Sequence, residues 1–138
     1  MQKSAFGYVF FDGKCREAFE FYEKLGIGKI ESMISNEEAP PGAEYDPTRK
    51  NNIMHGALKI GDTLLMASDV PPKWYAKPQG FDIHLTATGV EDAERLFAAL
   101  SEGGEVKMPL EKSFWAERFG GCVDRFGIPW MVSVDPQG

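Results

Sequence analysis

The sequence predicts an α+β fold made of two tandem βαβββ modules, and two internal repeats are the main evidence for it. The residues of one helix-spaced stripe recur 75 residues later: Ala18, Phe21, Tyr22, Leu25 and Gly28 return as Ala93, Leu96, Phe97, Leu100 and Gly103. A hairpin pattern centred on Gly61 returns 66 residues later at Gly127. The predicted elements also follow the same order in both halves, which indicates one duplicated module.

The first copy opens with a strand and a helix. Residues Phe6–Phe11 are mostly aromatic or β-branched, a composition typical of a strand. A helix is predicted over Cys15–Leu25 because apolar residues recur there at spacings of three and four. Gly26 and Gly28 follow this segment, and glycines at that place end a helix.

Three strands complete the first copy. One is predicted over Lys29–Ser35, and a polar, proline-containing segment, residues 36–52, separates it from the next. A loop of this length is typical of a lid or a partner contact. The segments Ile53–Ile60 and Thr63–Ser68 then predict a hairpin around Gly61-Asp62. Residues 69–80 contain three prolines and are interpreted as a linker, so module one spans about residues 1–70.

The second copy repeats this order within about residues 79–136. Residues Phe81–Thr88 alternate between apolar and polar side chains, which predicts a half-buried strand. A helix is predicted over Gly89–Leu100, with carboxylates in its first turn. A strand around Val106–Met108 follows, then a Trp-bearing segment. The last hairpin is predicted from two segments, Gly120–Asp124 and Pro129–Val134.

Composition limits the classes of function. The chain has 138 residues, 43% of them hydrophobic, which fits a single globular domain with a sizeable core. Its 15 Lys and Arg against 21 Asp and Glu give a net charge of −6, which argues against nucleic acid and anionic membranes as partners. No segment has the length of a membrane span or the pattern of a signal peptide. Cys15 and Cys122 lack any CxxC spacing and are interpreted as free thiols in the cytoplasm.

Three segments carry a specific resemblance to a known family. They are YVFFDGKCREAFEFY at residues 8–22, MHGAL at residues 54–58, and WAERFG at residues 115–120 together with DRFGIPW at residues 124–130. They resemble the PhnB-like branch of the vicinal oxygen chelate superfamily, which holds glyoxalase I, extradiol dioxygenases, and the bleomycin and fosfomycin resistance proteins. The resemblance covers nearly the whole chain. It implies a half-open barrel of two βαβββ modules, a small-molecule pocket on the concave sheet face, and a homodimer.

The resemblance also defines where a metal would bind. Enzymes of the superfamily usually hold a divalent metal with His or Glu from the first and last strands of each module, and the substrate's oxygens complete the shell. Those positions fall near Gly7 or Tyr8, at Leu65, near Ile83 or His84, and at Met131. Only His84 among them can bind a metal, so we expect neither a metal site nor another cofactor. A displaced site that uses His55 and nearby carboxylates is the alternative.

Two histidines are the candidate catalytic residues. His55 alternates with Ile53 and Ala57 in its predicted strand. It is either a half-buried histidine bonded to a neighbour or a pocket group that acts as hydrogen-bond partner or general base. The resemblance strengthens the second interpretation. His84 shares a polar face with Asp82, and this face is either open to solvent or part of a wet cavity.

Three further residues are candidate substrate contacts. Trp115 is either a core residue with a satisfied indole N–H or a flat wall of the ligand site. The planar guanidinium of Arg118 suits an anionic substrate, although a surface ion pair with Glu111 or Glu117 is the simpler interpretation. Tyr8 is a candidate by its position alone.

Other chemistries lack their motifs. Asp124 is interpreted as a turn residue without a catalytic role. Members of this branch are sometimes labelled demethylubiquinone methyltransferases, but Gly26-Ile-Gly28 follows a helix and is therefore no nucleotide-binding turn. Two classes of function remain. One is a cytosolic enzyme of the glyoxalase or dioxygenase type with a degenerate metal site. The other is a binding protein that sequesters a drug or metabolite without turnover.

Overall fold

The protein was analysed as a computed structural model, which describes residues 2–136. The chain divides into two compact units at the Ala76–Lys77 bond. Each unit holds one four-stranded mixed sheet and one α-helix, in the order βαβββ. The predicted α+β class and the two tandem modules are therefore confirmed. Within residues 2–136, no helix is long and apolar enough to cross a membrane.

The first unit contains five elements. In chain order they are β1 (Gly7–Phe11), α1 (Cys15–Lys24), β2 (Lys29–Ser35), β3 (Ile53–Ile60) and β4 (Thr63–Asp69). The strand order across the sheet is β1-β4-β3-β2, with β1 parallel to β4 and the other pairs antiparallel. The predicted boundaries of these elements differ from the observed ones by at most one residue. The long loop carries two short 3-10 helices, Asn36–Glu38 and Pro47–Arg49.

Helix α1 covers one face of the first sheet. Its buried residues are Cys15, Ala18, Phe19 and Tyr22, at the helical spacing that the sequence predicts. A residue distant in sequence fixes the start of the helix. The Asp69 carboxylate, at the end of β4, accepts a hydrogen bond from the backbone N–H of Cys15 (3.0 Å) and another from that of Ile53 (2.8 Å). A negative charge at this place also interacts favourably with the positive, N-terminal end of the helix dipole.

The second unit repeats the arrangement. Its elements are β5 (Ile83–Thr86), α2 (Val90–Ser101), β6 (Glu105–Glu111), β7 (Arg118–Val123) and β8 (Pro129–Val134). The strand order is β5-β8-β7-β6, with β5 parallel to β8. Strand β5 is shorter than the predicted Phe81–Thr88, but the alternation holds, since Leu85 and Ala87 are buried while His84 and Thr86 are exposed.

Strand β6 is an edge strand with two register shifts against β7, one between Val106 and Met108 and one between Met108 and Glu111. It also contains Pro109, which has no N–H to donate and is tolerated in a sheet mainly at edges and bulges. Gly120 of β7 permits the close approach of β6. A Cβ atom on Gly120 would lie 2.8 Å from the Cα atom of Leu110.

Candidate functional site

Each sheet has a second face, opposite its helix. In the first sheet this face carries Tyr8 of β1, Met66 of β4 and His55 of β3, because cross-strand partners share a face and side chains alternate along each strand. The rings of Tyr8 and His55 lie 6.1 Å apart, centroid to centroid, and Phe10 lies 5.3 Å from Tyr8. Tyr8 is 40% exposed and His55 is half-buried. The structure therefore brings two of the predicted site residues together in unit one.

In the second sheet, the face opposite the helix carries His84 of β5. His84 pairs in register with Met131 of β8, and Met131 pairs with Gly121 of β7. The His84 Nε2 atom lies 2.7 Å from Oγ of Ser133, a residue that is only 2% exposed. This buried partner holds the imidazole in one orientation while the ring itself stays exposed.

A pocket of about 170 Å³ opens at Met131, the cross-strand partner of His84, and His84 itself is not one of its lining residues. Its apolar lining includes Met108, Phe119 and Met131, and Gly121 forms part of its floor. A Cβ atom on Gly121 would meet only the carbonyl oxygen of Trp130, at 3.7 Å, so the space above this glycine is open.

Trp115 stands next to this pocket. Its ring packs against that of Phe119 with centroids 4.6 Å apart, and it is 46% exposed. The tight turn that presents Trp115 is closed by hydrogen bonds between Ser113 and Ala116, in which Ser113 N–H donates to the Ala116 carbonyl and Ala116 N–H donates to Ser113 Oγ. The exposure of Trp115 does not fit a fully buried core residue, and the ring lies beside Phe119.

Arg118 lies on the opposite face from His84. It pairs in register with the buried Val134, and its Nε atom lies 3.7 Å from Oε1 of Glu94 on helix α2. Its guanidinium also donates to the carbonyl of Glu117. The structure therefore groups Arg118 with α2 and separates it from the pocket residues of the second sheet.

The register also shows which residues occupy the positions expected for metal ligands. In unit two these are His84 and its partner Met131. In unit one the corresponding pair is Tyr8 and Met66, and Leu65 instead points under helix α1, where it is 4% exposed. Equal counts from Gly61 and Gly127 placed this position one residue early, because Thr63 begins β4 on the helix face whereas Pro129 begins β8 on the opposite face. A shift of one residue moves a side chain to the other face of a sheet.

Neither pair fits a divalent metal. Tyr8 and Met66 offer a phenol and a thioether, and His84 and Met131 offer an imidazole and a thioether. Zn, Mn, Fe and Ni sites are built from several imidazoles and carboxylates. Across residues 2–136 the structure shows no group of three or more His, Cys, Asp or Glu side chains placed to hold a metal.

Neither cysteine has the properties of a nucleophile. Burial and the nearby Asp69 carboxylate raise the pKa of the Cys15 thiol to about 12. Burial also raises the pKa of Cys122, which borders the pocket but is only 2% exposed. Both thiols stay protonated at neutral pH, and the thiolate is the reactive form.

Asp124 has a structural environment, as the sequence predicts. This carboxylate is 2% exposed and accepts hydrogen bonds from the backbone N–H groups of Phe126 and Ile128 and from the indole Nε1 of Trp130, at 2.9, 3.0 and 2.9 Å. These bonds fix the five-residue turn before β8 and the orientation of the largest buried side chain. These three partners belong to the turn and the core.

Sequence reasoning missed the apolar wall of the pocket. Met108, Phe119 and Met131 belong to three different strands, and only the register of β6, β7 and β8 brings them together. One signal was present in the sequence, since Gly120-Gly121 in a predicted strand indicates close backbone approach or open space for a ligand.

Sequence comparison connects the chain to a known superfamily. The sequence model of the Glyoxalase/Bleomycin resistance protein/Dioxygenase superfamily matches residues 6–132. Protein YjdN of Escherichia coli is 31% identical over 141 residues, with 94% of each chain covered.

Structure comparison finds the same fold in solved proteins. Protein PA1353 from Pseudomonas aeruginosa has 41% sequence identity and a TM-score of 0.86, and the match covers 99% of this chain and 100% of that one. A PhnB protein from Bacillus cereus shares the fold, with a TM-score of 0.76 at 23% identity over 96% of this chain and 99% of its own. The fosfomycin resistance protein FosX from Listeria monocytogenes shares the fold more distantly, with a TM-score of 0.62 at 11% identity over 96% of this chain and 92% of its own.

Proposed function

Because the chain belongs to the Glyoxalase/Bleomycin resistance protein/Dioxygenase superfamily, we propose that it binds a small organic molecule in the pocket beside His84, and that it does so without a metal. The observation that carries this proposal is the combination of an open apolar pocket with a donor set that does not suit a divalent ion. Concave sites with apolar walls and a few polar groups are typical of small-molecule binding. Binding without turnover, as in proteins that sequester a drug or metabolite, needs nothing more.

A second candidate function is metal-independent catalysis by His84, whose cross-strand partner Met131 lines the pocket. The contact between His84 and the buried Ser133 favours it, because an imidazole held in one orientation can act as general acid or base near neutral pH. His55, beside Tyr8 in unit one, is the other candidate for this role. Trp115 would be an aromatic contact for a ligand of this pocket, and Tyr8 would be one for a ligand on the open sheet face of unit one. Arg118 remains a candidate only for an anionic group that reaches the helix side of its sheet.

The pocket is tested by filling it. A panel of metabolites and drugs is screened by thermal shift, since a ligand that binds the folded state raises the melting temperature by mass action. The variant Gly121→Val places a side chain in open space above the pocket floor. We expect it to abolish the shift of every true hit. The matched control, Gly7→Val, changes an exposed glycine on β1 of the other unit and should keep the hits. Hits that survive in Gly121→Val would overturn the proposed site.

Turnover separates the two candidate functions. Each hit is incubated with the protein and with His84→Gln and His55→Gln, and the ligand is followed by mass spectrometry. Consumption that disappears in one histidine variant supports catalysis by that residue. Recovery of unchanged ligand after long incubation with the unaltered protein supports sequestration.

We further propose that the protein acts as a homodimer in the cytoplasm. Two buried free cysteines support a reducing compartment. Large exposed aromatic side chains, among them the fully exposed Phe114, support a partner surface.

A further inference from the structure

We infer that the pocket beside His84 takes an amphoteric ligand, with an acidic group at Lys107, an amine at Asp82 and an apolar part against Met108, Phe119 and Met131. This inference rests on the proposed function, because it names the class of ligand for the same pocket. A small apolar amino acid, or a molecule with the same arrangement of charges, has this chemistry.

A strand irregularity brings Lys107 to the pocket. In a regular strand, neighbouring side chains point to opposite faces, so Lys107 and Met108 should not share a surface. Both line the pocket. The reason is the register shift in β6, where Val106 pairs with Cys122 and Met108 pairs with the adjacent Gly121, so that Lys107 has no partner of its own in β7. Irregularities of this kind re-aim a side chain and are enriched next to functional sites.

Asp82 supplies the opposite charge. It lies two residues before His84, on the same face of the polypeptide by alternation, and it lines the same pocket. Asp82 and Lys107 also line an adjoining cavity of about 410 Å³, whose rim carries Lys77. The two charges therefore stand where the smaller, apolar pocket meets the larger, open one.

Among the side chains of residues 2–136, neither Asp82 nor Lys107 forms an ion pair, with each other or with any other residue. A ligand that carries an acid and an amine would complement both, and the charge-assisted contacts would fix its orientation. The apolar wall then receives the rest of the molecule, since Met side chains adapt to irregular shapes.

Three probes separate the contributions of the two charges. L-phenylalanine carries both groups, L-phenylalaninol lacks the acid, and 3-phenylpropionate lacks the amine. Binding is followed by NMR of the protein with ¹³C-methyl methionine, through the signals of Met108 and Met131 assigned by Met→Leu variants. We expect L-phenylalanine to bind about tenfold more tightly than either truncated probe, the effect of one charge-assisted hydrogen bond.

Variants test which residue binds each charged group of the ligand. Lys107→Gln should remove the advantage of L-phenylalanine over phenylalaninol, and Asp82→Asn should remove its advantage over 3-phenylpropionate. Lys112→Gln and Glu111→Gln are the matched controls, because they change the same charges at exposed positions at the end of β6. Both controls should leave all three affinities unchanged.

Two results would overturn the inference. One rejects only the ligand class, and the other also rejects the proposed function. If the three probes bind equally well, or if Lys107→Gln and Asp82→Asn keep the discrimination, the pocket stands but its ligand class is wrong. If no probe shifts Met108 or Met131, and no hit of the thermal-shift panel does, the pocket is not a ligand site and the proposed function fails with it.

Discussion

Cys15 shows how one buried group makes stability depend on pH. Its thiol is fully buried at the first residue of α1, and burial and the Asp69 carboxylate raise its pKa from 9.0 to about 12. The folded protein therefore keeps this proton at pH values where the unfolded chain releases it. A group whose pKa is raised on folding stabilises the protein below its unfolded pKa and loses that contribution as pH rises.

The expected result is a fall in the free energy of unfolding between about pH 9 and pH 12, with a slope from this thiol of at most about 1.4 kcal/mol per pH unit. Urea unfolding across this range checks it. Because Tyr and Lys residues also titrate there, the relevant quantity is the difference between the unaltered protein and Cys15→Ala. We expect Cys15→Ala to show the smaller slope. Parallel pH profiles would mean that the thiol ionises equally in both states.

At the scale of elements, the neighbouring glycines of β7 have opposite roles. A Cβ atom on Gly120 would lie 2.8 Å from the Leu110 Cα atom and 2.9 Å from the Leu110 backbone nitrogen, contacts that only a movement of β6 could relieve. A Cβ atom on Gly121 would make one ordinary contact, at 3.7 Å. The same substitution at both positions therefore tests two different environments, a close backbone contact at Gly120 and open space at Gly121.

We expect Gly120→Ala to destabilise the protein by about 1–3 kcal/mol, as for other overpacked sites, and Gly121→Ala to be neutral or slightly stabilising. Urea midpoints for the two variants and the unaltered protein provide the measurement. Equal losses for both would indicate that glycine is needed throughout β7 for backbone freedom and that the approach of Leu110 is not the cause.

Hydrophobic periodicity predicted the helices and strands well, because alternating and helical spacings report which face of an element is buried. The same periodicity could not predict the pocket. A period of two assigns Lys107 and Met108 to opposite faces, and the shift that joins them depends on the pairing of β6 with β7. The hairpins had a similar effect, since equal counts from Gly61 and Gly127 reach opposite sheet faces and Met66, not Leu65, corresponds to Met131.

At the scale of the whole molecule, the repeat made the fold predictable and left the chemistry open. Ala18 and Ala93 occupy corresponding places in the two repeats, and each is buried in its own unit. Such residues indicate the shared fold. The residues on the open faces differ between the copies, with Tyr8 in one place and His84 in the corresponding one. Function depends on those differences, so a repeat cannot reveal it.

The assembly of the whole chain gives the last prediction. Phe114 is 100% exposed, in the short turn that also presents Trp115. Covering such an apolar side chain with a second protein surface is favourable, because it removes the ring from water. We expect sedimentation velocity to show a species of twice the chain mass, and Phe114→Ser to weaken the dimer by about tenfold or more, as for an aromatic anchor of an interface. Trp74→Ser is the control, because it removes another exposed aromatic side chain, 71% exposed, from a different segment of the chain. A monomer at every concentration would remove the proposed dimer, whereas a dimer unaffected by Phe114→Ser would place its interface away from this turn.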